Sequence, residues 1–142
     1  MQALPNLTEE RLSALRELLS DYLGHERFCH TLGVEKMARR IGKMLLPDAL
    51  LELSAAALLH DVTKELPYGE QLQMCKRYRI RMPKAEYAAE KVLHARTGAC
   101  YAREHFPDVV TSRVFKAIDR HTTGKASMSV FDEIIFLSDM IE

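Results

Sequence analysis

Six residues of metal-binding type are spread through this 142-residue sequence: His30, His60, Asp61, His94, His121 and Asp139. Imidazole and carboxylate together suit a borderline divalent ion such as iron, manganese or zinc, whereas magnesium and calcium favour oxygen-only sites. Such ions activate water and polarise phosphoryl oxygens. The centre of the set is Ser54-Ala-Ala-Ala-Leu-Leu-His60-Asp61-Val-Thr-Lys64, an apolar helical run that ends on two metal-capable side chains. A histidine and an aspartate in that position need hydrogen bonds, a salt bridge or a metal ion. Any one of these histidines alone reads as an ordinary core or surface residue; their joint occurrence at element ends points to a site. His25 and His105 lack that context and read as surface or capping residues.

The elements that must position these residues are all helical. Thr8 is a suitable N-cap ahead of Glu9 and Glu10, and Leu12, Leu15, Leu18, Leu19, Tyr22 and Leu23 repeat at helical spacing as far as Gly24. A second helix, His25 to Leu46, turns Phe28, Leu32, Met37, Ile41 and Leu45 inward and stops at Pro47. The third, from Asp48 through Leu59, is apolar nearly all round, as a central helix must be, and delivers His60 and Asp61. Leu66-Pro67-Tyr68-Gly69 breaks the pattern before an amphipathic segment from Glu70 to Tyr78 with a basic tail through Arg81.

Pro83 opens an alanine-rich stretch from Lys84 to Lys91, and a further helix runs from Thr97 to His105, which places His94 at the joint between them. Asp108 is expected to start the next helix, with Val110, Val114, Ala117 and Ile118 inward and a cap at Gly124. Ser129 and Asp132 form a variant capping box for a last helix bearing Ile134, Ile135, Leu137, Asp139 and Ile141. With no strand-period alternation, repeat or linker, the reading is an all-α single domain spanning residues 1–142, a bundle of about seven helices.

Bulk properties narrow the partners. The 20 basic and 20 acidic residues cancel, which argues against a nucleic-acid polymer or an anionic membrane surface. No apolar run is long enough to span a bilayer and the first residues lack the form of a signal segment, so a cytoplasmic location is expected. Cys29, Cys75 and Cys100 are odd in number and widely spaced, and read as reduced, partly buried packing residues. The amphipathic first helix offers a surface for a homodimer.

The motifs Arg27-Phe-Cys-His30-Thr-Leu-Gly-Val, Leu58-Leu-His60-Asp61-Val-Thr-Lys64-Glu, Leu93-His94-Ala-Arg-Thr-Gly98-Ala, Ile118-Asp-Arg-His121-Thr-Thr-Gly124 and Ile134-Ile-Phe-Leu-Ser-Asp139-Met-Ile-Glu142 occur in one order. Together they resemble the HD-domain metal-dependent phosphohydrolases, and within them the YqeK-type symmetrical bis(5′-nucleosyl)-tetraphosphatases. The resemblance covers nearly all of the chain after Arg27; residues 1–26 add little to it. It implies two divalent ions, usually iron, with His30, His60, Asp61 and Asp139 on one and Asp61 bridging to a second held by His94 and His121. It further implies that diadenosine tetraphosphate is hydrolysed to two ADP by metal-activated water. Members of the family continue past the segment equivalent to Asp139–Glu142 with a proline and an arginine, whereas this sequence stops at Glu142.

The resemblance makes Asp61 the shared carboxylate, and Lys64, one helical turn on, is placed to reach a phosphate. A solvated helix-end lysine is the alternative reading of Lys64. Arg27 points to the same mouth or pairs with Glu26 or another acid, and Thr122 and Thr123 offer hydroxyls and turn amides to phosphate oxygens. Gly98, read as lying at the start of a helix, allows close approach of substrate to backbone. The basic run Lys76, Arg77, Arg79 and Arg81 reads as a solvated face that could steer a polyphosphate. Manganese or cobalt could replace iron. The competing readings are an HD nucleotidase or phosphodiesterase for another nucleotide, and a nucleotide-binding sensor; the complete ligand set argues against the sensor.

Overall fold

The computed structural model describes residues 7–123 and 127–142. The first six residues, read above for a signal segment, and the expected cap Gly124 lie outside the described residues. The elements in chain order are α1 (Glu9–Tyr22), α2 (His25–Leu45), α3 (Leu50–Leu59), α4 (Tyr68–Arg77), α5 (Lys84–Tyr87), α6 (Glu90–His105), α7 (Ser112–Arg120) and α8 (Val130–Ile141), with a 3-10 turn at Pro47–Ala49. No strand occurs among the described residues. Seven of these eight helices have nine residues or more, so the all-α expectation of about seven helices holds. No helix is long and apolar enough to cross a membrane, among the described residues.

The core forms around α3, which touches α1, α2, α6, α7 and α8. Its sequence explains that position. Every residue from Glu52 to Leu59 is buried, and Ala55, Ala56 and Ala57 let neighbouring helices come close. Each fully buried leucine, such as Leu53, Leu58 or Leu59, contributes about 1.5–3 kcal/mol. The two polar side chains that α3 carries inward have partners: Ser54 Oγ accepts from Arg39 (2.8 Å), and Glu52 accepts from Arg113 (2.9 and 2.8 Å) and from Thr111 Oγ1 (2.7 Å). Gly42 of α2 lets the two helices meet, since a Cβ there would lie 2.5 Å from Leu53 Cδ1.

Caps fix where the helices begin. Thr8 accepts from the Arg11 amide at α1, and Thr111 from the Val114 amide at α7. The capping box expected at α8 is present, with Ser129 and Asp132 each accepting from the other's amide (3.1 and 3.3 Å). α1 stops just before Gly24, with Leu23 as its C-cap, and Gly24, with φ −62°, is the N-cap of α2. Its amide donates to Glu65 Oε1 (2.8 Å), and a Cβ on it would lie 2.7 Å from Glu65 Oε2. The glycine makes room for a carboxylate that caps α2 from the far side of the His60-Asp61 turn.

Several expectations need correcting. α6 starts at Glu90, so His94 lies inside a helix rather than at a joint, and the alanine-rich stretch before it holds only the short α5. Gly98 is buried in the middle of α6, where a Cβ would meet Thr63 Oγ1 at 3.2 Å and the His60 carbonyl at 3.7 Å. Its close approach is to another part of the chain. Asp108 does not open α7, because Thr111 takes the cap while Asp108 pairs with Arg11 of α1. Leu45, assigned inward by periodicity, is 57% exposed. Cys29 is exposed, whereas Cys75 and Cys100 are buried.

Candidate metal centre

α3 hands the chain to a run of turns at its C-terminal end, and the site is built on that run. His60 is fully buried, and its Nδ1–H donates to the Ala57 carbonyl one turn back (2.6 Å). That bond fixes the ring so that Nε2 faces Asp61 and Asp139. His121, at the end of α7, is set the same way, with Nδ1–H donating to the Ile118 carbonyl (2.7 Å). His94 projects from α6 and His30 from the first turns of α2. Asp139 comes from α8, whose start is tied to the end of α7 by Arg120 donating to Asp132 (2.9 Å).

All six residues singled out in the sequence come together, in two groups. His30, His60, Asp61 and Asp139 form one, and Asp61, His94 and His121 the other, with donor atoms inside each group within 4.8 Å of one another. Asp61 belongs to both through different oxygens. Its Oδ2 lies 3.2 Å from His60 Nε2 and 3.7 Å from His30 Nε2, while its Oδ1 lies 3.2 Å from His94 Nε2 and 3.6 Å from His121 Nε2. Asp139 Oδ1 is 2.8 Å from His30 Nε2 and 3.3 Å from His60 Nε2.

The electrostatics favour a cation between these groups. Burial disfavours a charged His60, yet the negative charge of Asp61 and the adjoining Asp139 outweigh it and raise its pKa to about 10. Burial likewise works against ionised carboxylates, but the surrounding imidazoles hold Asp61 far below the usual range and Asp139 at about 2. His94 is pushed down, by burial first and then by His121, against the pull of Asp61. Two features fit a metal ion better than a proton. His60 Nε2 is buried and makes no hydrogen bond although two carboxylate oxygens lie close, and His94 Nε2 faces His121 Nε2 at 3.1 Å. Nitrogen lone pairs converging beside shared carboxylate oxygens are the donor set of a borderline divalent ion.

A cavity of about 300 Å³ opens onto this cluster, lined by Lys64, His94, His121, Thr122, Phe136, Asp139 and Met140. Lys64 and Thr122 line it beside the two histidines, and Thr122 Oγ1 is buried without a hydrogen-bond partner. Thr123 is exposed and does not line the cavity. Arg27 makes an ion pair with Asp61 Oδ2 (2.8 Å), so its acid is Asp61 and not Glu26.

Other residues of the site escaped the sequence reading. Thr63 Oγ1 donates to the His94 carbonyl (3.0 Å), Thr97 Oγ1 to Gln71 Oε1 (2.7 Å), and Gln71 Nε2 to the Thr63 carbonyl (2.8 Å). This buried network ties the turns carrying Asp61 to α4 and α6. Phe136 and Met140, on either side of Asp139 on one face of α8, give the cavity its apolar wall.

Comparison with known proteins agrees with the geometry. The chain is 32% identical over 89% of its length to a protein of Halalkalibacterium halodurans described as bis(5′-nucleosyl)-tetraphosphatase, symmetrical, and covers 66% of that protein. Relatives with the same description from Staphylococcus aureus and Bacillus subtilis are each 28% identical, over 89% and 94% of this chain and 64% and 68% of theirs. The chain thus spans about two thirds of the length of these curated relatives. A crystal structure from Clostridium acetobutylicum, described as a predicted HD superfamily hydrolase involved in NAD metabolism, superposes with a TM-score of 0.83 at 28% identity, covering 92% of this chain and 68% of that one. With residues 27–142 matching the HD domain model and all six His and Asp side chains gathered at one centre, this chain belongs to the HD-domain family.

Proposed function

We propose that this chain hydrolyses diadenosine tetraphosphate at the middle of its phosphate chain, releasing two ADP. In this reading His30, His60, Asp61 and Asp139 hold one divalent ion, and Asp61, His94 and His121 a second. The observation that carries it is the division of the Asp61 carboxylate, one oxygen toward each group of histidines, behind His94, His121 and Asp139, which line a cavity. Iron is the metal the family resemblance assigns, and manganese and cobalt meet the same donor preference. When bound, the pair supplies activated water and positive charge at the phosphoryl group.

The chain's own residues bind and orient. Asp61 and Asp139 stay ionised throughout the working pH range because the imidazoles around them depress their pKa values. The Ala57 and Ile118 carbonyls keep His60 and His121 turned inward, so no reorganisation is needed when substrate arrives. Lys64 meets the charge that develops on the phosphate chain, and Thr122 Oγ1 donates to one of its oxygens. Arg27 adds a positive charge beside Asp61. Phe136 and Met140 offer apolar surface to a nucleoside. Support for the substrate comes from the three relatives described as symmetrical tetraphosphatases.

The test is anaerobic incubation of iron- or manganese-loaded protein with diadenosine tetraphosphate and chromatography of the products. ADP as sole product is expected; ATP with AMP rules out central cleavage. A second reading, hydrolysis of a phosphoanhydride in another nucleotide, is favoured by the Clostridium acetobutylicum relative described as involved in NAD metabolism. Faster turnover of a different dinucleotide under the same conditions would select it.

A further inference from the structure

A second cavity, about 360 Å³, lies where the end of α4 and the segment after it face α5. Lys76, Arg79 and Arg81 line it together with Tyr87, Leu72 and Ile80, no carboxylate does, and it shares no residue with the cavity at the metal centre. The charge here is unusual for this molecule. Eight of its twelve arginines stand within ion-pair distance of a carboxylate, and a ninth, Arg103, lies over the Phe115 ring. Of the remaining three among the described residues, Arg40, Arg79 and Arg81, two line this one cavity. Like charges gathered in a concave surface repel unless a counter-ion joins them.

The backbone gives an independent indication. Arg79 has φ 54°, in the left-handed region, where no other non-glycine residue is found among those described. It occupies the position just past α4 that glycine usually fills: its amide donates to the Lys76 carbonyl (3.2 Å) and the next amide, of Ile80, to the Cys75 carbonyl (2.9 Å). Glycine would close this cap without strain, so the backbone supplies no reason for an arginine at this position. The segment is also held in place, with Tyr87 donating from its hydroxyl to the Ile80 carbonyl (2.6 Å) and Tyr68 to the Tyr87 carbonyl (2.6 Å). The cations are thus presented from a fixed frame, which lowers the ordering cost of binding.

We propose that this cavity binds the phosphate chain of a small oligophosphate, with Arg79 and Arg81 as the forked donors and Lys76 as a third charge. A free oligophosphate and a nucleoside polyphosphate share this chemistry, the latter placing its nucleoside against Tyr87 and Leu72. The site is separate from the metal centre and does not depend on what is hydrolysed there.

The test titrates the metal-free chain at low salt with tripolyphosphate and, separately, with ADP, by calorimetry, and records melting without ligand. Arg79→Gly should weaken tripolyphosphate binding about tenfold or more while raising the melting temperature of the free protein. Arg81→Ser should weaken binding without that rise, and Lys64→Ala should leave this binding intact. ADP that binds with the same dependence on Arg79 assigns the site to nucleoside phosphates; tripolyphosphate alone assigns it to free oligophosphate. Binding unchanged in both Arg79→Gly and Arg81→Ser, or abolished by Lys64→Ala instead, overturns the proposal.

Discussion

α3 carries a buried carboxylate near its start and delivers another just past its end, and the two are treated differently. Glu52 is 7% exposed and has its needs met by the chain: Arg113 takes both oxygens and Thr111 donates to one. Asp61 is 2% exposed and sits among histidines whose Nε2 atoms lie 3.2 Å or more away without the angles of a hydrogen bond, and Arg27 (2.8 Å) is the one residue that makes a hydrogen bond to its carboxylate among the described residues. Both lie in the same core, so burial alone does not mark a functional acid. The difference is whether surrounding donors close the hydrogen-bonding account or leave lone pairs converging on one point. Glu52 holds α3 to α7, whereas Asp61 is arranged to receive a cation.

Five variants would break or sharpen this contrast. The largest effect is expected for Asp61→Ala, which removes the oxygen donor common to both groups: metal content should fall to near zero and turnover by on the order of 10³-fold or more. Retention of two metals per chain with full turnover would remove the proposed bridge. For Glu52→Ala, stability should fall by about 3 kcal/mol, because Arg113 and Thr111 are left without their acceptor, while activity per folded molecule stays at the parent level. Urea denaturation and turnover, measured on the same preparation, separate the two acids.

Glu52 also has a pH signature. Burial raises its pKa, but Arg113 and Thr111 more than reverse this and hold it below the ordinary carboxylate value. Its contribution is therefore present above the unfolded carboxyl pKa and lost as pH falls through the lower folded value. Glu52→Gln should flatten the acid limb of the stability profile; an unchanged limb would show that other carboxylates set it. Lys64→Ala should lower kcat/KM by about 10²-fold with metal content unaltered, and metal loss in that variant would contradict its assignment to the phosphate chain. The smallest effect is expected for Thr63→Val, which deletes the bond to the His94 carbonyl: about 1–2 kcal/mol of stability and a measurable weakening of metal binding, read by denaturation and metal competition.

What could be read in advance depended on the range over which the physics acts. The apolar run of α3, the caps at Thr8 and Ser129, and the six His and Asp residues are visible because helix periodicity, capping and ligand chemistry leave local marks. The network of Thr63, Gln71 and Thr97 leaves none, since its bonds join residues 8, 26 and 31 positions apart and each member alone looks like any polar helix residue. Gly98 shows the same limit. A glycine next to a motif histidine suggested a helix start, but the packing of Thr63 against mid-α6 is what requires it, and that neighbour could not be seen from local sequence. Leu45 failed in the opposite way: the apolar stripe of α2 continues to its last residue, past the point where the core ends.

The contact between Gly24 and Glu65 bears on the order in which the molecule comes together. A helix is normally capped by its own immediate neighbours, but the first amide at α2 is satisfied by a carboxylate 41 residues along the chain, directly after the turns that carry His60 and Asp61. The opening turn of α2, with Arg27 and His30, therefore cannot settle independently of those turns. Both should unfold and refold as one cooperative unit. Hydrogen exchange at the Gly24 amide would then report on opening of the site itself, and its protection should rise and fall with that of the Lys64 amide, which donates to the Asp61 carbonyl.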